Sequence, residues 1–202
     1  MNLPNKLTVF RILLVPIMVI IPYIPIDGEL KIATLSVPMA WIIINLIFII
    51  ASITDKLDGY LARSRNQVTT FGKFLDPIAD KILVLAAMIM LVADGRLPAW
   101  IPIIVLFREF LVSGYRLLEV ENSGKVVAAS MWGKLKTVTQ MIGLIIAFID
   151  MNAFGCFFSG NLSGFPLVIN VISTVTIFIS VIATIFSGWD YLKNGKDLLK
   201  DM

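Results

Sequence analysis

The chain has 202 residues, of which 58% are hydrophobic and only 15% charged, and its mean hydropathy is +0.90. Soluble domains carry about 25% charged residues, so a water-facing surface could not be built here, and the natural solvent is a bilayer. Histidine is absent and Cys156 is the single cysteine, which excludes an intrachain disulfide, a thiolate metal cluster, the commonest zinc ligand and the usual general base. Transfer chemistry would have to run on carboxylates, hydroxyls, amines and bound metal.

A helix needs about 20 mostly apolar residues to cross the hydrocarbon core. Six stretches qualify, at about 8–25, 36–54, 75–93, 98–118, 131–150 and 167–191. The opening segment has an early Lys6 and Arg11 and then an apolar run, but it lacks a small-residue cleavage site, so it reads as a retained span and not a secretory signal. Residues 1–7 are expected to lie along the interface before it. Turn residues break the spans at Pro25-Ile26-Asp27-Gly28, Asp94-Gly95 and Ser163-Gly164. The expectation is an all-α polytopic membrane protein with six transmembrane helices, one domain over 1–202, no linker and no repeat.

Charge sets the orientation. With six spans both termini share a side with the 55–74 and 119–130 loops, and fourteen of the seventeen Lys and Arg residues fall there or on the flanking helix ends. Lys31 and Arg96 lie toward the other face, and Arg108 is inside a span. The positive-inside rule then places the termini and both loops in the cytoplasm. Lys193, Lys196 and Lys200 read as anchors near anionic lipid.

The informative stretch runs Asp55-Lys-Leu-Asp58-Gly59-Tyr-Leu-Ala62-Arg63, then Gly72-Lys-Phe-Leu-Asp76-Pro-Ile-Ala-Asp80. Asp55 and Asp58 are three apart at the end of the second span, and Asp76 and Asp80 four apart at the start of the third. Either spacing stacks two carboxylates on one helix face. If the two helices pack as neighbours, four carboxylates converge, and without cations they could not all stay ionised. An all-oxygen set with neither His nor Cys suits Mg²⁺, Mn²⁺ or Ca²⁺, and two such ions could clamp a diphosphate. Gly59, Ala62 and Gly72 remove bulk where a nucleotide could approach the backbone, and Arg63 adds a planar donor fork for phosphate. Taken singly, each acid also reads as a cap or solvated surface, and small residues as close helix packing.

Residues 55–80 resemble the signature of the CDP-alcohol phosphatidyltransferases, D-x2-D-G-x2-A-R-x8-G-x3-D-x3-D, at all eight specified positions. The six-span layout resembles that family too. The resemblance implies two divalent ions, Mg²⁺ or Mn²⁺, held by Asp55, Asp58, Asp76 and Asp80, with Asp80 also taking the proton and CMP leaving. It implies CDP-diacylglycerol as donor, bound by Asn5, Thr8, Gly59, Ala62, Arg63, Thr69, Gly72 and Lys73, and it suggests a homodimer in membrane lipid.

Two further segments resemble the bacterial members of the family whose acceptor is sn-glycerol 3-phosphate. One is Leu3-Pro4-Asn5-Lys6-Leu7-Thr8-Val-Phe-Arg11, which also reads as an ordinary helix start with Asn5 or Thr8 as a cap. The other combines Arg108-Glu109 and Arg116 with Gly133-Lys134-Leu-Lys136-Thr137. An arginine within a span needs a partner, water or a ligand. Neighbours on a helix point in different directions, so Arg108 and Glu109 are not expected to pair; an ion pair from Arg108 to one of the aspartates is the structural alternative. The functional reading is a pocket for a phosphorylated acceptor built from Arg108, Arg116, Lys134 and Lys136. The expected reaction yields phosphatidylglycerol phosphate and CMP, with the active site on the cytoplasmic side. The rivals are the same chemistry on serine or an inositol phosphate, and a divalent-cation transporter, which would spread its acids through the membrane depth. No nucleic-acid partner is expected.

Overall fold

The computed structural model describes residues 2–64, 70–123 and 130–194, with the side chains of 3–4, 56–64, 70–71, 73–74, 76, 119–123 and 194 outside that description. Among the described residues six helices carry the fold: α1 (Leu3–Ile20), α2 (Met39–Ser64), α3 (Thr70–Ala93), α4 (Trp100–Ser123), α5 (Met131–Ile149) and α6 (Gly164–Asn194). Between α1 and α2 runs a short antiparallel hairpin, β1 (Glu29–Ile32) and β2 (Leu35–Pro38), with Ile32 opposite Leu35.

Two differences from the sequence reading stand out near the N-terminus. Residues 3–7 form the first turns of α1 and not a separate interfacial segment; Asn2 is extended at the cap position and Pro4 sits in the first turn, where its missing N–H costs nothing. The hairpin takes up residues assigned to the start of the second span, so α2 begins at Met39. Its two-residue turn is Ala33-Thr34, with Ala33 at a φ of 53°, and so lacks the Asn-Gly signal that marks such turns. Leu35 and Val37 are buried and join the core beside Trp41.

The predicted breaks fall at chain reversals. After α3 the chain closes in a Schellman motif: Gly95, at a φ of 73°, donates to the Val92 carbonyl, and Arg96 N–H to that of Leu91 at 2.9 Å. Gly143 lets α5 and α6 touch, because a Cβ there would stand 2.8 Å from Ile177 Cγ1 and 3.2 Å from its backbone nitrogen.

Among the described residues, three helical stretches are long and apolar enough to cross a membrane, Asn5–Tyr23, Met131–Ile149 and Gly164–Lys193, and Met39–Asp55 is a shorter apolar run. The six helices are those expected. Asp76, Asp80 and Lys81 in α3 and Arg108, Glu109 and Arg116 in α4 interrupt the apolar runs of those two helices. The protein is an all-α membrane protein in architecture, with large apolar side chains such as Phe107, Phe110 and Leu117 exposed on the outside of α4.

Three of the helices divide into an apolar half and a polar half. In α1, Asn5, Thr8 and Arg11 precede Val15 and Met18; in α2, Ile44, Phe48 and Ala51 precede Asp55; in α5, Lys136 and Gln140 precede Leu144 and Phe148, all of them buried except the part-exposed Asp55. The up-and-down course brings these three polar halves to one end. Phe148, stacked near Trp41 and edge-on to Phe48, marks the apolar half.

Candidate active site

The polar end is organised around two carboxylates. Asp55, at the end of the apolar run of α2, pairs with Arg11 of α1 at 2.6 Å. Asp80, in the first half of α3, is close enough for its charge and that of Asp55 to repel one another. Helix α1 packs against both α2 and α3, so the fully buried Arg11 brings a positive charge between two acid-bearing helices. Asn5, Thr8 and Arg11 lie three residues apart and are all buried. They form one polar stripe on α1, and neither Asn5 nor Thr8 is a cap, since Asn2 holds that position.

The donor set is compatible with a hard divalent ion: two carboxylates from neighbouring helices, with no imidazole anywhere in the chain. Among the described residues no group of three acids is gathered at one point. Asp58 and Asp76 fall among the undescribed side chains, as do Gly59, Ala62, Arg63 and Lys73, and Thr69 lies outside the described residues altogether. Gly72 is buried.

A cavity of about 480 Å³ opens beside Asp80 between α3, α4 and α5. Its floor is apolar, with Leu85, Val105 and Met141 among the lining side chains, and its walls carry Lys81, Arg108, Glu109, Arg116 and Lys136. Four cations against two carboxylates leave a surplus of two positive charges. Three of the four expected acceptor residues therefore come together. Lys134 does not: it is exposed and absent from the lining, because two positions along a helix turn it about 200° from Lys136.

Arg108 is seated with care. Its Nη2 donates to Ser187 on α6 and its Nη1 to Glu109 at 3.0 Å. A Cβ on Gly133 would stand 3.4 Å from Nη2, and one on Gly188 3.5 Å from its Cγ; the glycines leave room for the guanidinium. Ser130, the N-cap of α5, accepts from Gly133 N–H and lies 3.5 Å from Ser187 Oγ. Arg116 donates to the hydroxyl of Tyr191 at 2.7 Å, and both arginines stand over that ring, 5.9 and 5.4 Å from its centre.

The expectation that Arg108 and Glu109 would not pair is wrong. Backbone directions 100° apart do not stop two long side chains from curling to one point, and here both are drawn to the cavity edge. Glu109 also takes Lys136 from α5, and its other oxygen stands 3.8 Å from Lys81 Nζ, which donates to Ser113. Arg11, Lys81 and Glu109 were thus missing from the sequence-based site. A signal existed for two of them: Arg11 interrupts an apolar helix three residues after Thr8, and Glu109 is a carboxylate deep in a span.

The family model for CDP-alcohol phosphatidyltransferase matches residues 1–188. The chain is similar to the CDP-diacylglycerol–glycerol-3-phosphate 3-phosphatidyltransferase of Bacillus subtilis (strain 168), at 44% identity over 98% of this chain and 97% of that one. It is similar to proteins of the same name from Haemophilus influenzae, at 37% over 99% and 96%, and from Rickettsia typhi, at 36% over 96% and 97%.

Proposed function

Because the chain belongs to the CDP-alcohol phosphatidyltransferase family, we propose that it moves the phosphatidyl group of CDP-diacylglycerol to sn-glycerol 3-phosphate, giving phosphatidylglycerol phosphate and CMP. The observation that carries the choice of a phosphorylated acceptor over serine is the cavity. It joins Asp80 to a wall whose two surplus positive charges match a phosphate monoester dianion, a balance that serine would leave uncompensated. The names of the relatives point the same way.

Asp80 holds the reacting end. Its carboxylate takes the proton of the glycerol 1-hydroxyl; the oxygen attacks the β-phosphorus, and the bond to the α-phosphate breaks with CMP as leaving group. Arg108, Arg116 and Lys136 take the acceptor phosphate at the far side of the cavity, which fixes the hydroxyl relative to phosphorus. Arg11 offsets the charge of Asp55 against that of Asp80. On the donor side, Asn5, Thr8, Gly59, Ala62, Arg63, Thr69, Gly72 and Lys73 bind the CDP-lipid, whose acyl chains stay in the bilayer.

Members of this family generally depend on divalent metal. Asp55, Asp58, Asp76 and Asp80 would hold two Mg²⁺ or Mn²⁺ ions here, which supply positive charge to the diphosphate and to the departing oxygen. The functional form is a homodimer, and the polar end, with both termini, faces the cytoplasm. Asn66→Cys and Asn122→Cys, in a Cys156→Ser background, should react only with reagents that reach the cytoplasm; labelling from outside would invert the topology.

The test of the reaction is purified protein with CDP-diacylglycerol and a panel of acceptors, following CMP release. Release with sn-glycerol 3-phosphate, abolished by EDTA and restored by Mg²⁺ or Mn²⁺, is the expected result. Full activity in excess EDTA would remove the metals, and a preference for serine or an inositol phosphate would replace the acceptor.

A further inference from the structure

Positive side chains from three helices close on one carboxylate. Glu109 of α4 takes Lys136 of α5 and its own neighbour Arg108 on one oxygen, and its second oxygen stands 3.8 Å from Lys81 of α3. The side chain of Glu109 is 19% exposed and lines the cavity. Without it, three like charges would share a poorly solvated wall, and mutual repulsion would splay them. It also leaves donors to spare. An ammonium carries three N–H donors and a guanidinium five; Lys136 commits one to Glu109, and Arg108 commits one to Glu109 and one to Ser187.

We propose that Glu109 is the positioning residue of the acceptor pocket: a resident anion that holds Arg108 and Lys136 convergent, so that an incoming phosphate meets a preorganised pair of cations. The proposal rests on the acceptor reading above. Glu109 works through the cations and touches neither the nucleotide nor the reacting oxygen, so its loss falls on one substrate alone. A carboxylate needed only for packing would have no such preference.

The experiment uses the full-length protein in mixed micelles, with each substrate varied in turn for wild type, Glu109→Gln, Glu109→Asp and Glu109→Ala. Glu109→Gln should raise the KM for sn-glycerol 3-phosphate about tenfold or more, the effect of losing a charge-assisted contact, and leave that for CDP-diacylglycerol within about twofold. Glu109→Asp keeps the charge on a shorter arm and should recover part of the loss. Formate added to Glu109→Ala should lower the acceptor KM toward wild type, where chloride at equal ionic strength does not. Equal movement of both KM values, no movement in Glu109→Gln, or no formate effect would overturn the proposal. Should Glu109→Gln and Glu109→Ala fail to fold, Glu109→Asp decides by the same split: a raised acceptor KM alone supports the proposal, and both or neither moving overturns it. Failure of the acceptor reading is recognised separately and first, in wild type that releases CMP with a different acceptor only, and it takes this proposal with it.

Discussion

Arg96 and Arg108 sit toward opposite ends of the helical bundle, and they are held differently. Arg96 follows α3 and its Nη1 donates to the carbonyls of Ala147, Phe148 and Asp150, at 3.0 to 3.3 Å. Its Nε pairs with Asp94 at 2.6 Å, and its plane lies 3.8 Å over the Trp41 ring. Those carbonyls are the unsatisfied C-terminal groups of α5, so Arg96 caps that helix and complements its dipole. Asp150 beside it is occupied as well, accepting from Asn152 and from Asn170 of α6. Arg108 instead shares one carboxylate with a lysine and lines a cavity. At one end a cation is consumed by the protein's own backbone. At the other, cations are gathered in excess and left facing space. Burial of an arginine alone does not separate structure from function; the account of where its donors go does.

The largest expected effect lies at the cavity end. Asp80→Asn keeps the shape of the side chain but removes the proton acceptor, so turnover should fall by about 10²–10⁴-fold, with the thermal midpoint in detergent little changed. Asp55→Asn should lower turnover too, and raise the Mg²⁺ concentration needed for half-maximal rate. Near-normal turnover in Asp80→Asn would remove that residue from the chemistry and with it the contrast between the two ends.

Arg96→Ala should do the opposite. It uncaps α5, leaves the carbonyls of Ala147, Phe148 and Asp150 without their shared donor and uncovers Trp41, a loss of roughly 3 kcal/mol in stability. The measurement is thermal unfolding alongside activity per folded molecule. A lower midpoint with both KM values unchanged is expected; an acceptor-specific KM defect would show that the two ends are coupled and that Arg96 is not merely a latch.

The sequence made the family signature legible and blurred the cavity wall, for physical reasons. Asp55, Asp58, Asp76 and Asp80 recur at helical spacings within 26 residues, and spacing along one or two helices survives in the sequence. The six helices were legible because apolar runs of that length have few alternatives in lipid. The cavity wall is assembled from α3, α4 and α5, and no spacing within one helix encodes which long side chains meet. Lys134 and Lys136 look equivalent in the sequence and point to opposite sides of α5. Arg108 and Glu109 look incapable of pairing and do pair. Arg11 was counted for orientation when it is the ion-pair partner of Asp55. The hairpin before α2 escaped notice because its strands have only four residues each and its turn lacks glycine.

The smallest effect tests how finely the cavity-end arginine is set. Ser187 is fully buried on α6, accepts from Arg108 Nη2 and lies beside Ser130 at the start of α5. Among the described residues its hydrogen-bond partners are Arg108 and Ser130, so its influence runs through the guanidinium. Ser187→Ala removes one hydrogen bond while Glu109 still holds Nη1. The loss should be about 0.5–1.5 kcal/mol, a two- to tenfold rise in the acceptor KM, with the KM for CDP-diacylglycerol unchanged. Ser187→Thr keeps the hydroxyl, but its added methyl must fit beside Gly133 and Gly188, the positions whose missing side chains make room for Arg108. Recovery by Thr would mean that the hydrogen bond matters most. A Thr variant worse than Ala would mean that the space does, and Arg108 would then be held chiefly by the shape of its seat. An unchanged acceptor KM in Ser187→Ala would show that Arg108 is set without the Ser187 hydrogen bond, and that α6 aligns the pocket through Tyr191 and not through Ser187.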